Sequence, residues 1–163
     1  MIRPTTPDDT IALIALADAT RLFEPNQLEE LSEMLTNYFI DNSDRDRFWI
    51  TDDDDEDGPV GVAYCEAERM TDRTWNLQLI AIRPDRQGQG RGATLLHYVE
   101  ETLTARGERM LLVETSSSLE RTQAFYHKCG YEQEACIRDF YAAGYDKVVF
   151  RKVLQGAVNE QSH

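Results

Sequence analysis

The stretch Leu77-Gln78-Leu79-Ile80-Ala81-Ile82-Arg83-Pro84-Asp85-Arg86-Gln87-Gly88-Gln89-Gly90-Arg91-Gly92-Ala93 decides the fold. It begins as an apolar strand, breaks at Pro84, turns through Gly88, Gly90 and Gly92, and enters a helix. In that helix Leu95, Leu96, Val99 and Leu103 recur on one face. Glycines at a helix start let backbone N–H groups converge on an anion, because no Cβ blocks the approach. The helix dipole adds roughly half a positive charge there. A phosphate-bearing ligand is therefore expected on residues 87–93.

Competing phosphate-binding arrangements can be separated by their neighbours. A P-loop needs a lysine and a hydroxyl residue after its last glycine, and Ala93 and Thr94 stand there instead. The dinucleotide fingerprint G-x-G-x-x-G/A matches through Gly88, Gly90 and Ala93, with the acid Glu114 downstream. That fold, however, runs its strand almost directly into the first glycine. Here Arg83–Gln87 intervene, and no second mononucleotide half follows. An NAD(P)-binding Rossmann-type enzyme stays as the remote alternative.

The third arrangement fits best. Gln87-x-x-Gly90-x-Gly92, after the strand ending Ile80-Ala81-Ile82 and the Pro84 break, resembles the acetyl-CoA motif of the GCN5-related N-acetyltransferase (GNAT) superfamily. Downstream, Ala124-Phe125-Tyr126-His127-Lys128-Cys129-Gly130-Tyr131 resembles that family's A-x-Y-x-x-x-G-F/Y segment, and the likeness extends over residues 58–153. The resemblance implies an α/β single-domain fold over residues 1–154: a mixed central sheet with a splayed parallel strand pair and flanking helices. Residues 155–163 would form a flexible tail. It also implies an acetyl-CoA-dependent N-acetyltransferase acting on a primary amine by direct transfer in a ternary complex. A non-catalytic acyl-CoA-binding or sensor module on the same fold is the alternative from a different class.

Residue roles follow from the resemblance. The N–H groups of Gly88, Gln89, Gly90, Arg91, Gly92 and Ala93, after Gln87, would take the CoA pyrophosphate. Ile80, Ala81 and Ile82 would pair their backbone with the pantetheine arm, and an N–H near Ile80 would take the tetrahedral oxyanion. An alkylamine with pKa near 10.4 costs roughly 4–5 kcal/mol to deprotonate at pH 7, which a carboxylate base relieves. Glu114 is the first candidate base and Glu66 the second. Tyr126 matches the family tyrosine that protonates the departing thiolate, a task suited to a phenol with pKa near 10. Its structural alternative is a packed aromatic beside Phe125. In one departure, the family's usual asparagine falls on Leu119, behind Ser116, Ser117 and Ser118.

The whole chain bounds these readings. A net charge of −13 excludes nonspecific binding to nucleic acid or to anionic membrane surfaces. It suits a cationic acceptor, either a small-molecule amine or a basic peptide. Cys65, Cys129 and Cys136 cannot all pair and form no CxxC, so a reduced, cytoplasmic protein is expected. Cys129 reads as a packing residue. His97, His127 and His163 lack metal-ligand spacing. Asp53-x-Asp55-x-Asp57-Gly58 opens like an EF-hand loop, but Tyr64 occupies the position of the closing glutamate. The acidic run therefore reads as a solvated hairpin turn, and no metal is expected. The resemblance adds a homodimer as one partner state.

Local signals predict the elements. Ile2–Thr5 reads as a strand, followed by a helix capped by Asp8 or Asp9 and running to Thr20. Pro25 opens a second helix with Leu28, Leu31, Leu35 and Tyr38 on one stripe. Strands are expected at Phe48–Thr51, Val60–Ala67, Trp75–Ile82 and Met110–Glu114, the last in a central parallel position. Helices are expected at Gly92–Arg106 and Ser117–Lys128. Tyr131–Phe140 and Asp146–Val153 should close a hairpin through Ala143-Gly144. Its segments Ile137–Tyr141 and Gly144–Asp146 could cradle a cation, or be ordinary cross-strand pairs.

Overall fold

The computed structural model describes residues 1–41 and 43–154. The expected tail over 155–163, with His163, lies outside the described residues. Strands β1 (Ile2–Pro4), β2 (Arg47–Asp54), β3 (Gly58–Ala67), β4 (Thr74–Ile82), β5 (Met110–Ser116), β6 (Glu132–Ala142) and β7 (Tyr145–Val153) form one sheet in the order β1-β2-β3-β4-β5-β7-β6. Helices α1 (Thr10–Ala19), α2 (Pro25–Asp41), α3 (Arg91–Ala105) and α4 (Glu120–Lys128) complete the mixed α/β fold among the described residues. No helix there is long and apolar enough to cross a membrane. The chain divides into two compact units, Met1–Glu66 with Leu79–Val99, and Ala67–Gln78 with the chain from Glu100 onward.

In the first unit, β1 and β3 flank β2, both antiparallel to it. Leu13, Leu16 and Ala17 of α1 pack with Leu31 and Leu35 of α2 against Trp49, Val62, Tyr64 and Ala81. The expected α2 stripe holds, with Leu28 and Tyr38 partly buried at the margin of this core. Asp55–Asp57 form the exposed hairpin turn expected of the acidic run, but Asp52–Asp54 are a correction to that reading. β2 extends through Asp52–Asp54, and Asp52 is only 5% exposed. Successive carboxylates are tolerated in a strand here because each meets a guanidinium. Arg91 reaches Asp52 at 3.0 Å, Arg3 reaches Asp53 at 2.8 Å and Arg86 reaches Asp54 at 2.7 Å.

Asp9 also departs from its expected role. Helix α1 follows a 3-10 turn over Pro7–Asp9, and the Asp9 carboxylate turns back to accept from the Thr6 N–H at 2.8 Å. Arg3 donates to the same carboxylate at 2.8 and 2.9 Å. These bonds, the Arg3 bond foremost, hold the Asp9 carboxyl below its ordinary 3.8. Its contribution to stability is therefore present above about pH 3.8 and lost as pH falls through the lower folded value. Asp9→Asn is expected to cost about 1–3 kcal/mol near neutral pH. Urea denaturation at pH 7 and pH 2 checks this, since the gap between the two proteins should shrink at the lower pH. A gap independent of pH would contradict the assignment.

In the second unit, β5 pairs parallel with β4 and antiparallel with β7, so its central position is mixed and not purely parallel. The β4–β5 ladder runs from Thr74↔Met110 to Leu77↔Val113 and ends there. Gln78–Ile82 of β4 and Glu114–Ser116 of β5 follow the last pair of that ladder. Helix α4 starts at Glu120, later than the expected Ser117. The Ser116 and Ser118 hydroxyls bond each other at 2.9 Å and Ser116 accepts from the Ser118 N–H, a turn that competes with helix. The β6–β7 hairpin is pinned where Asp139 takes φ +56°. Its N–H donates to Asp146 at 2.9 Å and its carboxylate accepts from the Gly144 N–H at 2.8 Å.

Candidate active site

The glycine turn is built to expose backbone. A short 3-10 turn over Pro84–Arg86 ends at Gln87, whose side-chain amide donates back to the Ile82 carbonyl at 3.0 Å. Gly88 and Gly90 then take φ +76° and +79°, a region that L side chains rarely enter, with open space where a Cβ would stand. The first bond of α3 runs from the Thr94 N–H to the Gly90 carbonyl at 3.1 Å. The N–H groups of Arg91, Gly92 and Ala93 therefore precede the intrahelical ladder and face outward from the helix start.

The arginines around this turn are already committed. The Arg91 guanidinium holds Asp52 and Asp54, and Arg86 holds Asp54 and Asp57. Arg91 thus offers an anion its backbone more readily than its side chain. Asp54 bridges guanidinia on either side of Gln87–Gly90, which ties both ends of a loop that two glycines would otherwise loosen. Its carboxyl lies below the ordinary carboxylate value, chiefly through the Arg86 bond. Ile80, Ala81 and Ile82 lie beyond the end of the β4–β5 ladder, on β4 just before the turn.

Glu66, on β3, accepts from the Tyr64 hydroxyl at 2.5 Å through Oε1. Burial, then the Glu66 bond, raises the Tyr64 hydroxyl well above its usual value, so it stays a donor. The Tyr64 ring stacks on Trp49 with centroids 4.3 Å apart. Trp49 is 1% exposed, and its Nε1–H has no hydrogen-bond partner among the described residues. Glu66 is thus a half-buried carboxylate whose second oxygen has no hydrogen-bond partner among the described residues.

Glu114 is more fully occupied. It follows Val113, the last residue of the β5 ladder with β4. Asn76 donates to its Oε1 at 3.0 Å and Lys147 pairs with its Oε2 at 3.0 Å. The same Asn76 amide donates to Glu68 at 3.0 Å, while its own buried Oδ1 has no partner among the described residues. Lys147 also lies 4.3 Å from the Phe140 ring centroid. Of the groups read from the sequence as a cation cradle, the Phe140 ring therefore faces a cation of the chain itself, while Asp139 and Asp146 accept from backbone N–H groups of the hairpin. Sequence reasoning missed Asn76, Glu68 and Lys147, since their neighbours are brought together only by strand pairing.

Tyr126 is 4% exposed on α4, with ring centroids 5.3 Å from Phe125, 5.8 Å from Tyr131 and 5.8 Å from Phe150. The end of this helix explains the spacing of its motif. The Tyr131 N–H donates to the Tyr126 carbonyl and the Gly130 N–H to the His127 carbonyl, each at 3.0 Å, with Gly130 at φ +93°. This is a Schellman cap, and the Tyr126–Tyr131 ring contact is its usual apolar partner. The neighbouring Cys129 thiol is pushed up by burial and by the Glu100 charge, so it stays protonated and packs. Among the described residues no group of His, Cys, Asp and Glu is placed to hold a metal.

The comparisons agree with the fold. The model of the Acetyltransferase (GNAT) family matches residues 13–131. N-alpha-acetyltransferase 30 of Schizosaccharomyces pombe is 24% identical over 139 residues, covering 85% of this chain and 91% of that protein. A solved GNAT-family protein from Desulfovibrio desulfuricans superposes with TM-score 0.89 at 27% identity, covering 94% of this chain and 98% of the other. An aminoglycoside 6'-N-acetyltransferase solved with coenzyme A shares the fold, with TM-score 0.73, 16% identity and coverage of 94% and 97%. With the family model matching most of its length and the fold shared with a solved member, the chain belongs to the Acetyltransferase (GNAT) family of N-acetyltransferases.

Proposed function

We propose that the chain uses acetyl-CoA to acetylate a primary amine by direct transfer in a ternary complex. The observation that carries this reading is the exposed backbone at Gly88–Ala93, separated by a short 3-10 turn from a strand whose last residues lie beyond its ladder with β5. The outward N–H groups suit a pyrophosphate, and Ile80–Ile82 suit an arm that pairs as a strand would.

The chemistry then needs one base and one acid. The bound ammonium gives a proton to a carboxylate, directly or through water, and the freed lone pair attacks the thioester carbon. The Ile80 N–H takes the oxyanion. Collapse breaks the C–S bond as the amine nitrogen releases its second proton to solvent. Tyr126 donates its proton to the leaving thiolate and is reprotonated from solvent, leaving neutral amide and free CoA. Glu66 ranks ahead of Glu114 as base, because one of its oxygens is unengaged while Asn76 and Lys147 hold both oxygens of Glu114. The acceptor class spans small amines and protein amines, as do the activities named for the aminoglycoside enzyme and the yeast relative.

Thermal shift with acetyl-CoA, CoA, NAD and NADP tests the donor, and free-thiol release over polyamines, aminoglycosides, amino acids and basic peptides tests the transfer. Stabilisation by acetyl-CoA and thiol release with at least one amine class is the expected result. Stabilisation by NAD or NADP in place of acetyl-CoA would overturn it. Tight acetyl-CoA binding with no release across the panel would point to a sensor module instead. Gly90→Val should abolish the acetyl-CoA shift, since a β-branched residue at φ +79° strains the turn and covers the N–H groups. A full shift in that variant would remove the turn from the binding site.

A further inference from the structure

The cap of α4 is anchored by a buried carboxylate and a half-buried lysine that no motif announces. Glu100 on α3 is 8% exposed. Its Oε2 accepts from the Tyr131 hydroxyl at 2.7 Å, and its Oε1 from Lys152 Nζ at 3.0 Å. Lys152 donates again to the Cys129 carbonyl at 3.0 Å and sits 5.4 Å from the Tyr131 ring centroid. Burial, then the Glu100 charge, pushes the Tyr131 hydroxyl far above its usual value, so it remains a donor to that carboxylate. Cys129 and Tyr131 bracket Gly130, and the Tyr131 N–H closes on the Tyr126 carbonyl. The pair thus grips both sides of the turn that ends the helix carrying Tyr126. A phenylalanine at 131 would supply the ring contact alone; the hydroxyl adds the tie to α3.

We infer that Glu100, acting through Tyr131 and Lys152, is a positioning residue for Tyr126. The inference rests on the reading of Tyr126 as proton donor. A carboxylate buried to this degree is costly unless hydrogen-bonded, and here both oxygens are satisfied by groups belonging to the cap. The tie holds the Tyr126 backbone in one place, and small displacements of a proton donor lower turnover steeply.

The test is a double-mutant cycle on the full chain. Tyr131→Phe deletes one oxygen and keeps the ring, so folding should survive, checked by an unchanged far-UV spectrum. It is expected to lower kcat roughly three- to tenfold with KM for acetyl-CoA within about twofold. In a Tyr126→Phe background the same change should have no further effect on kcat, because it acts through the hydroxyl already removed. Glu100→Gln, which can still accept from Tyr131, should fall between Tyr131→Phe and the unmodified chain. Multiplicative losses in the double variant, or KM moving in step with kcat, would overturn the inference while leaving the proton donor in place. If Tyr126→Phe alone leaves kcat unchanged, the proton-donor reading fails first and this inference falls with it.

Discussion

Tyr126→Phe is expected to lower kcat roughly a hundredfold or more while KM for acetyl-CoA stays within about twofold, the range general acid catalysis supplies. The substitution removes one oxygen and keeps the ring that packs against Phe125, Tyr131 and Phe150. The Schellman cap depends on the Tyr126 carbonyl and survives as well. Ground-state binding of the donor, assigned to residues 80–93, is untouched by the change. A loss confined to kcat therefore reports the thiolate protonation step. Turnover equal to the unmodified chain, measured as thiol release at saturating donor, would leave Tyr126 a packed aromatic and nothing more.

Phe150→Ala should destabilise the fold by about 3–5 kcal/mol, the usual cost of emptying a buried phenylalanine site. Phe150 is fully buried on β7, opposite Val113 of β5 and Gln133 of β6. Its ring centroid lies 5.0 Å from His127 edge-on and 5.8 Å from Tyr126. With β7 paired on both sides, the backbone has little freedom to collapse into the void. Urea denaturation should show a lower midpoint at constant slope, and the melting temperature should fall by roughly 10 °C. A loss under about 1 kcal/mol would mean the site repacks freely. Because α4 rests on this ring, acetyl transfer should weaken in the surviving folded fraction too.

The residues easiest to read in the sequence were those whose function is local. Gly88, Gly90 and Gly130 each take a positive φ that only their own backbone has to accommodate, so a turn and a cap can be recognised from spacing. The stripe of Leu95, Leu96, Val99 and Leu103 is likewise written at helical period and is buried as expected. The charges were harder. Asp52–Asp54 read as part of the solvated turn because their counter-ions Arg3, Arg86 and Arg91 come from other segments. Glu114 is placed first as base by its strand position and the resemblance, and the bonds it takes from Lys147 and Asn76, both distant in sequence, are set only by strand pairing.

By itself, then, the sequence determined the order of elements, the glycine turn and the tyrosine helix with its cap, all of which depend on intrinsic backbone preference and on apolar period acting over a few residues. The family came instead from the likeness of two motifs to known ones. Only the tertiary structure decided which carboxylates are engaged: Glu114 by Asn76 and Lys147, Asp54 by Arg86 and Arg91, Glu100 by Tyr131 and Lys152. An ionisable side chain carries no local record of its partner. Its partner is chosen by strand pairing and helix packing, and that choice decides whether a carboxylate is left able to take a proton or is held as a strut.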